Sequence, residues 1–207
     1  MLMQIAHASV GEAVDALRMG RPIVMPTDTV YGLAVSPYRD EHARRLYKLK
    51  ARDELKPVAL VACDLDWLFE CVPELRGRAG VIARALLPGP YTLVLPNPAR
   101  RYRWLTGTNP NTIGVRVPAA TGPGAEVLAK VGVVAATSAN LAGGANPARL
   151  EDVPGEILTG VAAVVDGGKL PGTPSTVIDF TGEEPLIIRE GAAPSAEALE
   201  RARAALS

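Results

Sequence analysis

Ser-Val-Gly-Glu-Ala-Val-Asp-Ala-Leu-Arg-Met-Gly-Arg-Pro-Ile-Val-Met-Pro-Thr-Asp-Thr-Val-Tyr-Gly-Leu, residues 9–33, sets a pattern that the rest of the chain repeats. Ser9 with Glu12 three places on reads as a capping box. Val10, Val14 and Leu17 then fall on one helical face, and Gly20 is a stop. Residues 22–26, Pro-Ile-Val-Met-Pro, read as a short apolar strand closed by proline. A polar segment follows where the chain leaves that strand. Helix, buried strand, polar exit: this is the grammar of an α/β protein.

The same grammar runs outward to both ends. Asp40 caps a helix predicted through about Lys50, with Leu46 and Leu49 inward and Arg44, Arg45 and Lys48 outward. Residues 58–61 read as a strand buried on both faces. A long helix is predicted over 74–87, interrupted by Gly77 and Gly80 and ended by Pro88-Gly89-Pro90. Strands follow at 91–95, 113–117, 133–136, 161–165, 176–179 and 186–188, with a helix near 124–131. A last amphipathic helix covers 195–206, with Ser195 as its cap. Several strands follow one another directly, so the sheet of seven or eight strands is twisted and mixed. No repeat or dividing linker occurs, and the expectation is one domain over residues 1–207, with 167–174 the best place for a mobile loop.

Composition narrows the function. The 207 residues include 20 Gly and 18 Pro, well above the usual share, which favours many fixed turns between short elements. Twenty-two Lys and Arg balance 22 Asp and Glu. Whole-molecule attraction to nucleic acid or an anionic membrane is therefore not expected, though a local basic patch is compatible. Nine aromatic residues are few for a base-stacking platform. Cys63 and Cys71 cannot make a tetrahedral zinc site alone, and they read as reduced thiols in or near a core. His42 reads as an exposed helix residue. Residues 1–10 carry no positive leader and no apolar run approaches membrane length, so a soluble, cytoplasmic protein is expected, with no metal site and no membrane partner.

Four stretches could carry chemistry. Pro26-Thr-Asp-Thr-Val-Tyr-Gly-Leu33 spends hydroxyls and a carboxylate at a strand exit, facing either a ligand or its own backbone. Lys50, Arg52 and Lys56 lie around a predicted helix end. Lys50 and Arg52 would diverge by about 200° on a continuing helix, so they share a target only if the helix ends between them. The plain alternative is a charged surface balanced by Asp53 and Glu54. Val133 to Gly144 runs from an apolar strand into Thr137-Ser-Ala-Asn140 and a glycine pair, suited to gripping phosphate oxygens without being a P-loop, or else a simple turn. Finally, Arg189 ends an apolar strand after Ser175-Thr-Val-Ile-Asp179, placed either to reach across a cleft or to sit at the surface. No Ser-His-Asp or Cys-His arrangement suggests itself.

In this order, the stretches at 26–33, 50–57, 112–118 (Thr-Ile-Gly-Val-Arg-Val-Pro), 137–140, 175–179 and 188–191 (Ile-Arg-Glu-Gly) resemble the YrdC-like threonylcarbamoyl-AMP synthase family in its single-domain form. The resemblance covers almost the whole chain. It implies a concave basic cleft in a YrdC-like sheet, and a nucleotidyltransferase joining L-threonine, bicarbonate or CO2, and ATP with release of pyrophosphate. It further implies Mg2+ carried with ATP, threonylcarbamoyl-transfer proteins that act on tRNA, and contact with tRNA or double-stranded RNA. By motif, Thr29, Arg116, Ala136 and Ser175 would contact threonine. Arg52, Lys56, Thr112, Ser138, Asn146 and Arg189 would contact ATP, and Lys50 and Arg52 would be catalytic. The chain departs from common patterns at Ala51, where many relatives have Gly, at Asp53, at Val61 and at Asn146. A rival reading, an RNA-binding module, would extend the basic surface through Arg100, Arg101 and Arg103. A third, synthesis of a carbamoyl-adenylate from carbamoyl phosphate, lacks its accessory segments here.

Overall fold

The computed structural model describes residues 7–207; Met1 to Ala6, part of the stretch read for a leader, lie outside them. Helix α1 (Val10–Arg18) opens as the sequence says: the Ser9 hydroxyl accepts from the Glu12 N–H at 3.2 Å, and Glu12 Oε2 accepts from the Ser9 N–H at 2.7 Å. Then come β1 (Ile23–Met25), β2 (Gly32–Val35), α2 (Asp40–Leu49), β3 (Ala59–Ala62), α3 (Leu65–Cys71), α4 (Gly77–Leu86), β4 (Tyr91–Pro96) and β5 (Thr112–Arg116). The chain continues through α5 (Pro123–Val131), β6 (Val133–Ser138), α6 (Gly155–Gly160), β7 (Ala163–Val164), β8 (Thr176–Asp179), β9 (Leu186–Arg189) and α7 (Ser195–Leu206).

All the strands form one mixed sheet in the order β7-β1-β2-β6-β3-β5-β4-β8-β9. The pairs β1/β7, β3/β5 and β4/β8 are parallel and the rest antiparallel. The strand missing from the sequence reading is β2: the segment after Pro26 makes a loop over 26–31 and returns as Gly32–Val35 beside β1.

Alternation divides the sheet into two faces. Leu33, Leu60, Ala62, Leu93, Leu95, Ile113, Val115 and Ile178 point to one side, into the larger core. Ile23, Met25, Ala34, Val61 and Val134 point to the other, where α1 and α5 cover them in a second, smaller core. That second cover stops short. Beyond it the same face presents Thr92, Val94, Thr112, Gly114, Arg116, Ala136, Ser138, Val177 and Asp179 to a hollow.

Several local readings need correction. The expected helix over 74–87 is shorter: Gly77 (φ +52°) stands at its start rather than inside it, and a separate helix, α3, precedes it with Asp64 accepting from the Trp67 N–H at 2.8 Å. Asp40 is the first residue of α2, not its cap, and its carboxylate instead meets Arg44 one turn on at 2.8 Å. Ser195 likewise begins α7, with Pro194 as cap, and its hydroxyl bonds Glu190. His42 is buried, not exposed, because the close turn at Gly20 (φ +68°) packs onto its ring. Cys63 and Cys71 are free thiols, half-buried and buried. Residues 167–174, expected to be mobile, are fastened: Leu170 N–H donates to Ala148 O at 2.8 Å and Gly172 N–H to Thr29 O at 2.9 Å. None of the helices among the described residues is long and apolar enough to cross a membrane.

Candidate functional site

The uncovered part of the sheet floors a hollow of about 450 Å³, within the range of small-molecule sites. Its lining brings together seven residues singled out in the sequence: Arg52, Thr112, Arg116, Ala136, Ser138, Ser175 and Arg189. They come from the end of α2, from β5 and β6, and from the start of β8 and the end of β9. Strand parity accounts for most of this. Thr112, Gly114 and Arg116 alternate with the core residues Ile113 and Val115, and Ala136 and Ser138 continue the register of Val134.

Arg116 is the most deeply set of the guanidinium groups. Its Nη2 donates to the Asp28 carboxylate and, at 2.8 Å, to Thr29 Oγ1. Its Nε is buried with no partner among the described residues. Burial pushes its pKa down from the usual arginine value, against the pull of Asp28. Arg189 stands at the exposed rim, with Nη2 donating to Ser175 O at 2.7 Å. Partial burial, and then the charge of Arg116, lower its pKa also. Arg52 is half-buried; its Nη2 donates to Pro57 O at 3.0 Å and its Nε is a second buried donor without a partner among the described residues. Unpaired buried N–H groups cost free energy, and these two Nε atoms, like His42 Nδ1, are closed to solvent without a partner among the described residues. The Ser175 hydroxyl lies 2.8 Å from Thr92 Oγ1.

The other expected residues sit elsewhere. Thr29 is fully buried beneath the lining and reaches the hollow only through Arg116. The Pro26–Leu33 segment follows its backbone reading in Thr27, whose Oγ1 accepts from the Thr29 and Val30 N–H groups at 3.2 Å, while Asp28 and Thr29 hold Arg116. Lys50 does not join Arg52 in the hollow. Helix α2 ends between them, as the sequence required for any convergence, but the break turns Lys50 inward. There its Nζ donates to Ser138 O at 2.6 Å, to Asn140 O at 2.7 Å and to Asn140 Oδ1. Burial, with Arg52 nearby, pushes this ammonium down to about 7. Lys56 is exposed beside Pro57, and Asn146 is half-buried; neither lines the hollow.

Sequence reasoning gave no role to Thr92, and it read Asp28 and Asn140 only as members of polar stretches, not as the partners of Arg116 and Lys50. Thr92 left a signal, being the polar outward residue between Tyr91 and Leu93 in an otherwise apolar strand. Arg101 is held by Glu74 through two contacts of 2.7 Å, and Arg100 Nε donates to Asn111 Oδ1 at 3.0 Å. The arginines invoked for an RNA surface are thus largely engaged within the protein.

A helix-backed mixed sheet whose other face opens on guanidinium and hydroxyl groups defines an α/β protein with a polar hollow on its sheet. The family model described as "Telomere recombination", the Sua5/YciO/YrdC domain, matches residues 15–191, and the chain belongs to that family. It is 31% identical over 191 residues to a threonylcarbamoyl-AMP synthase of Pyrococcus abyssi, covering 89% of this chain and 54% of that one. The fold is similar to P. abyssi Sua5 complexed with L-threonine, at TM-score 0.84 and 29% identity over 93% of this chain and 56% of that one. It is also similar to YciO of E. coli, at TM-score 0.79 and 27% identity over 89% and 90%. The chain thus spans about half the length of the P. abyssi protein and nearly all of YciO.

Proposed function

We propose that the protein synthesises L-threonylcarbamoyladenylate from L-threonine, CO2 or bicarbonate, and ATP, as a nucleotidyltransferase that releases pyrophosphate. The observation that carries this reading is the meeting of Arg52, Arg116 and Arg189 around one hollow. The names of its relatives agree: a P. abyssi relative is called threonylcarbamoyl-AMP synthase, and P. abyssi Sua5 was solved with L-threonine.

The threonine amine adds to CO2, losing a proton, to give a carbamate. A carbamate oxygen then attacks the α-phosphorus of ATP, and the bond to the β-phosphate oxygen breaks to release pyrophosphate. Such a transfer depends on positioning and on charge stabilisation rather than on a covalent nucleophile. In this reading Arg52, Thr112, Ser138 and Arg189 hold ATP, with Lys56 and Asn146 at the margin. Arg116, carried on Thr29, takes the threonine carboxylate with Ala136 and Ser175. Lys50 acts from behind, fixing the Ser138–Asn140 turn. Mg2+ comes with ATP as part of the substrate, bound chiefly by phosphate oxygens and water. The product is a mixed anhydride and is passed to an amine, here proposed as adenosine of tRNA through separate transfer proteins in the cytoplasm, with tRNA or double-stranded RNA contact part of the same proposal.

The test is pyrophosphate release with ATP and bicarbonate, comparing L-threonine with L-serine. Threonine is expected to be preferred. Arg52→Ala is expected to lower turnover about 10- to 150-fold, the equivalent of about 1.5–3 kcal/mol for a charge-assisted contact. Unchanged release in that variant would remove Arg52 from the phosphates.

A further inference from the structure

The Asp28 carboxylate is spent on two partners at once. Oδ1 takes the Arg116 Nη2, and Oδ2 accepts from the Ala119 N–H at 3.0 Å. It therefore ties the loop leaving β1 to the turn leaving β5. Both side chains are nearly closed to solvent, at 9% and 11% exposure. A guanidinium has five donors in a rigid plane. Asp28 and Thr29 Oγ1 together occupy the two hydrogens on Nη2. The Nε is closed off without a partner among the described residues, so a ligand in the hollow meets Arg116 through its other amino group, Nη1.

Charge matters as much as geometry. Arg116, Arg189 and Arg52 share the hollow, so an unpaired Arg116 would compete for phosphate like the other two. Asp28 supplies the counter-charge that makes the Arg116 site close to neutral before a ligand arrives. A singly charged carboxylate suits such a site; a polyphosphate is better served by Arg52 and Arg189, whose side-chain bonds go only to neutral oxygens.

We infer that Asp28 is the positioning residue that reserves Arg116 for the amino-acid carboxylate and keeps it out of the phosphate site. This rests on the function proposed above for the ligand's identity, but the fixing of Arg116 stands apart from it.

The experiment is threonine and ATP binding, measured by calorimetry, with the KM of each substrate, in wild type and Asp28→Asn. Threonine binding and KM are expected to worsen about 10- to 100-fold, with ATP affected less than about threefold. Combined with Arg116→Lys, the losses should not add, since Asp28 acts through that group. Without any ligand, the Arg116 Nε–H should give a slowly exchanging NMR signal in wild type that is lost in Asp28→Asn. Asp28→Glu keeps the charge but not the reach and should show an intermediate loss, which serves if the Asn variant fails to fold. Equal losses for both substrates, additive losses with Arg116→Lys, or a persisting protected signal would overturn the inference. A wild-type protein that shows the protected signal but binds no threonine would overturn the proposed function and leave the fixing of Arg116 intact.

Discussion

Lys50, 2% exposed, surrenders its ammonium to four oxygens of Ser138 and Asn140 at the end of β6. Its pKa, pushed down to about 7, lies below the ordinary lysine value near 10.4. Between those two values the unfolded chain holds a proton that the folded one has released, so stability rises with pH there and is flat below about 7. Denaturant unfolding of wild type and Lys50→Met from pH 6 to 9 checks this. The difference should move in favour of wild type above pH 7, by at most about 1.4 kcal/mol per pH unit. A flat difference would mean that these oxygens keep the ammonium charged. The sequence showed that Lys50 and Arg52 could serve one site only if α2 broke between them. It could not show which way each would turn, because that depends on the Ser138–Asn140 turn 88 residues away. His42 was hidden for a similar reason: its helix carries charge outward on neighbouring positions, and only the turn at Gly20 buries it.

At the scale of elements, the end of α2 carries a cost. The C-cap is Lys50, and the next residue, Ala51, has φ +47°. A side chain in that left-handed region costs about 1–2 kcal/mol, against roughly 0.5–1 kcal/mol of extra unfolded-state entropy for glycine. Ala51 is exposed, so little packing is at stake. Ala51→Gly is therefore expected to raise Tm by about 1–4 °C in a thermal melt, and a lower Tm would mean that the turn gains from the methyl group. Elements were most legible where local chemistry and burial agree, as in the Ser9–Glu12 box or the alternation of Tyr91–Pro96. Strand β2 escaped because Gly32 and Leu33 follow a Thr- and Asp-rich turn, and all four of its residues are buried, which erases the alternating signal. Helix α3 escaped because seven residues give barely two turns of periodicity.

The site belongs to the molecule as a whole. Its lining spans Met25 to Arg189 in sequence and meets because alternate positions of neighbouring strands share one face and the segments at their ends close on it. Motif order announced the members, but not that the smaller cover of α1 and α5 stops short and leaves the floor open, since that depends on long-range packing. Because its floor is the central sheet, with loops and helix ends forming the walls, a ligand that fills the hollow should not merely order a loop. It should bind the folded state alone and shift global unfolding by mass action. With zero net charge the molecule as a whole exerts no net attraction on anions, so the local guanidiniums must supply it. ATP at about a hundred times its Kd should add about 2.7 kcal/mol, or some 5–10 °C in Tm. L-Threonine should add its own increment, reduced in Asp28→Asn while that of ATP is kept. A thermal melt at graded ligand concentrations checks both. A Tm that rises with the logarithm of ATP concentration in wild type, but much less in Arg52→Ala, would tie the nucleotide to this hollow; a rise indifferent to Arg52 would place it elsewhere on the protein.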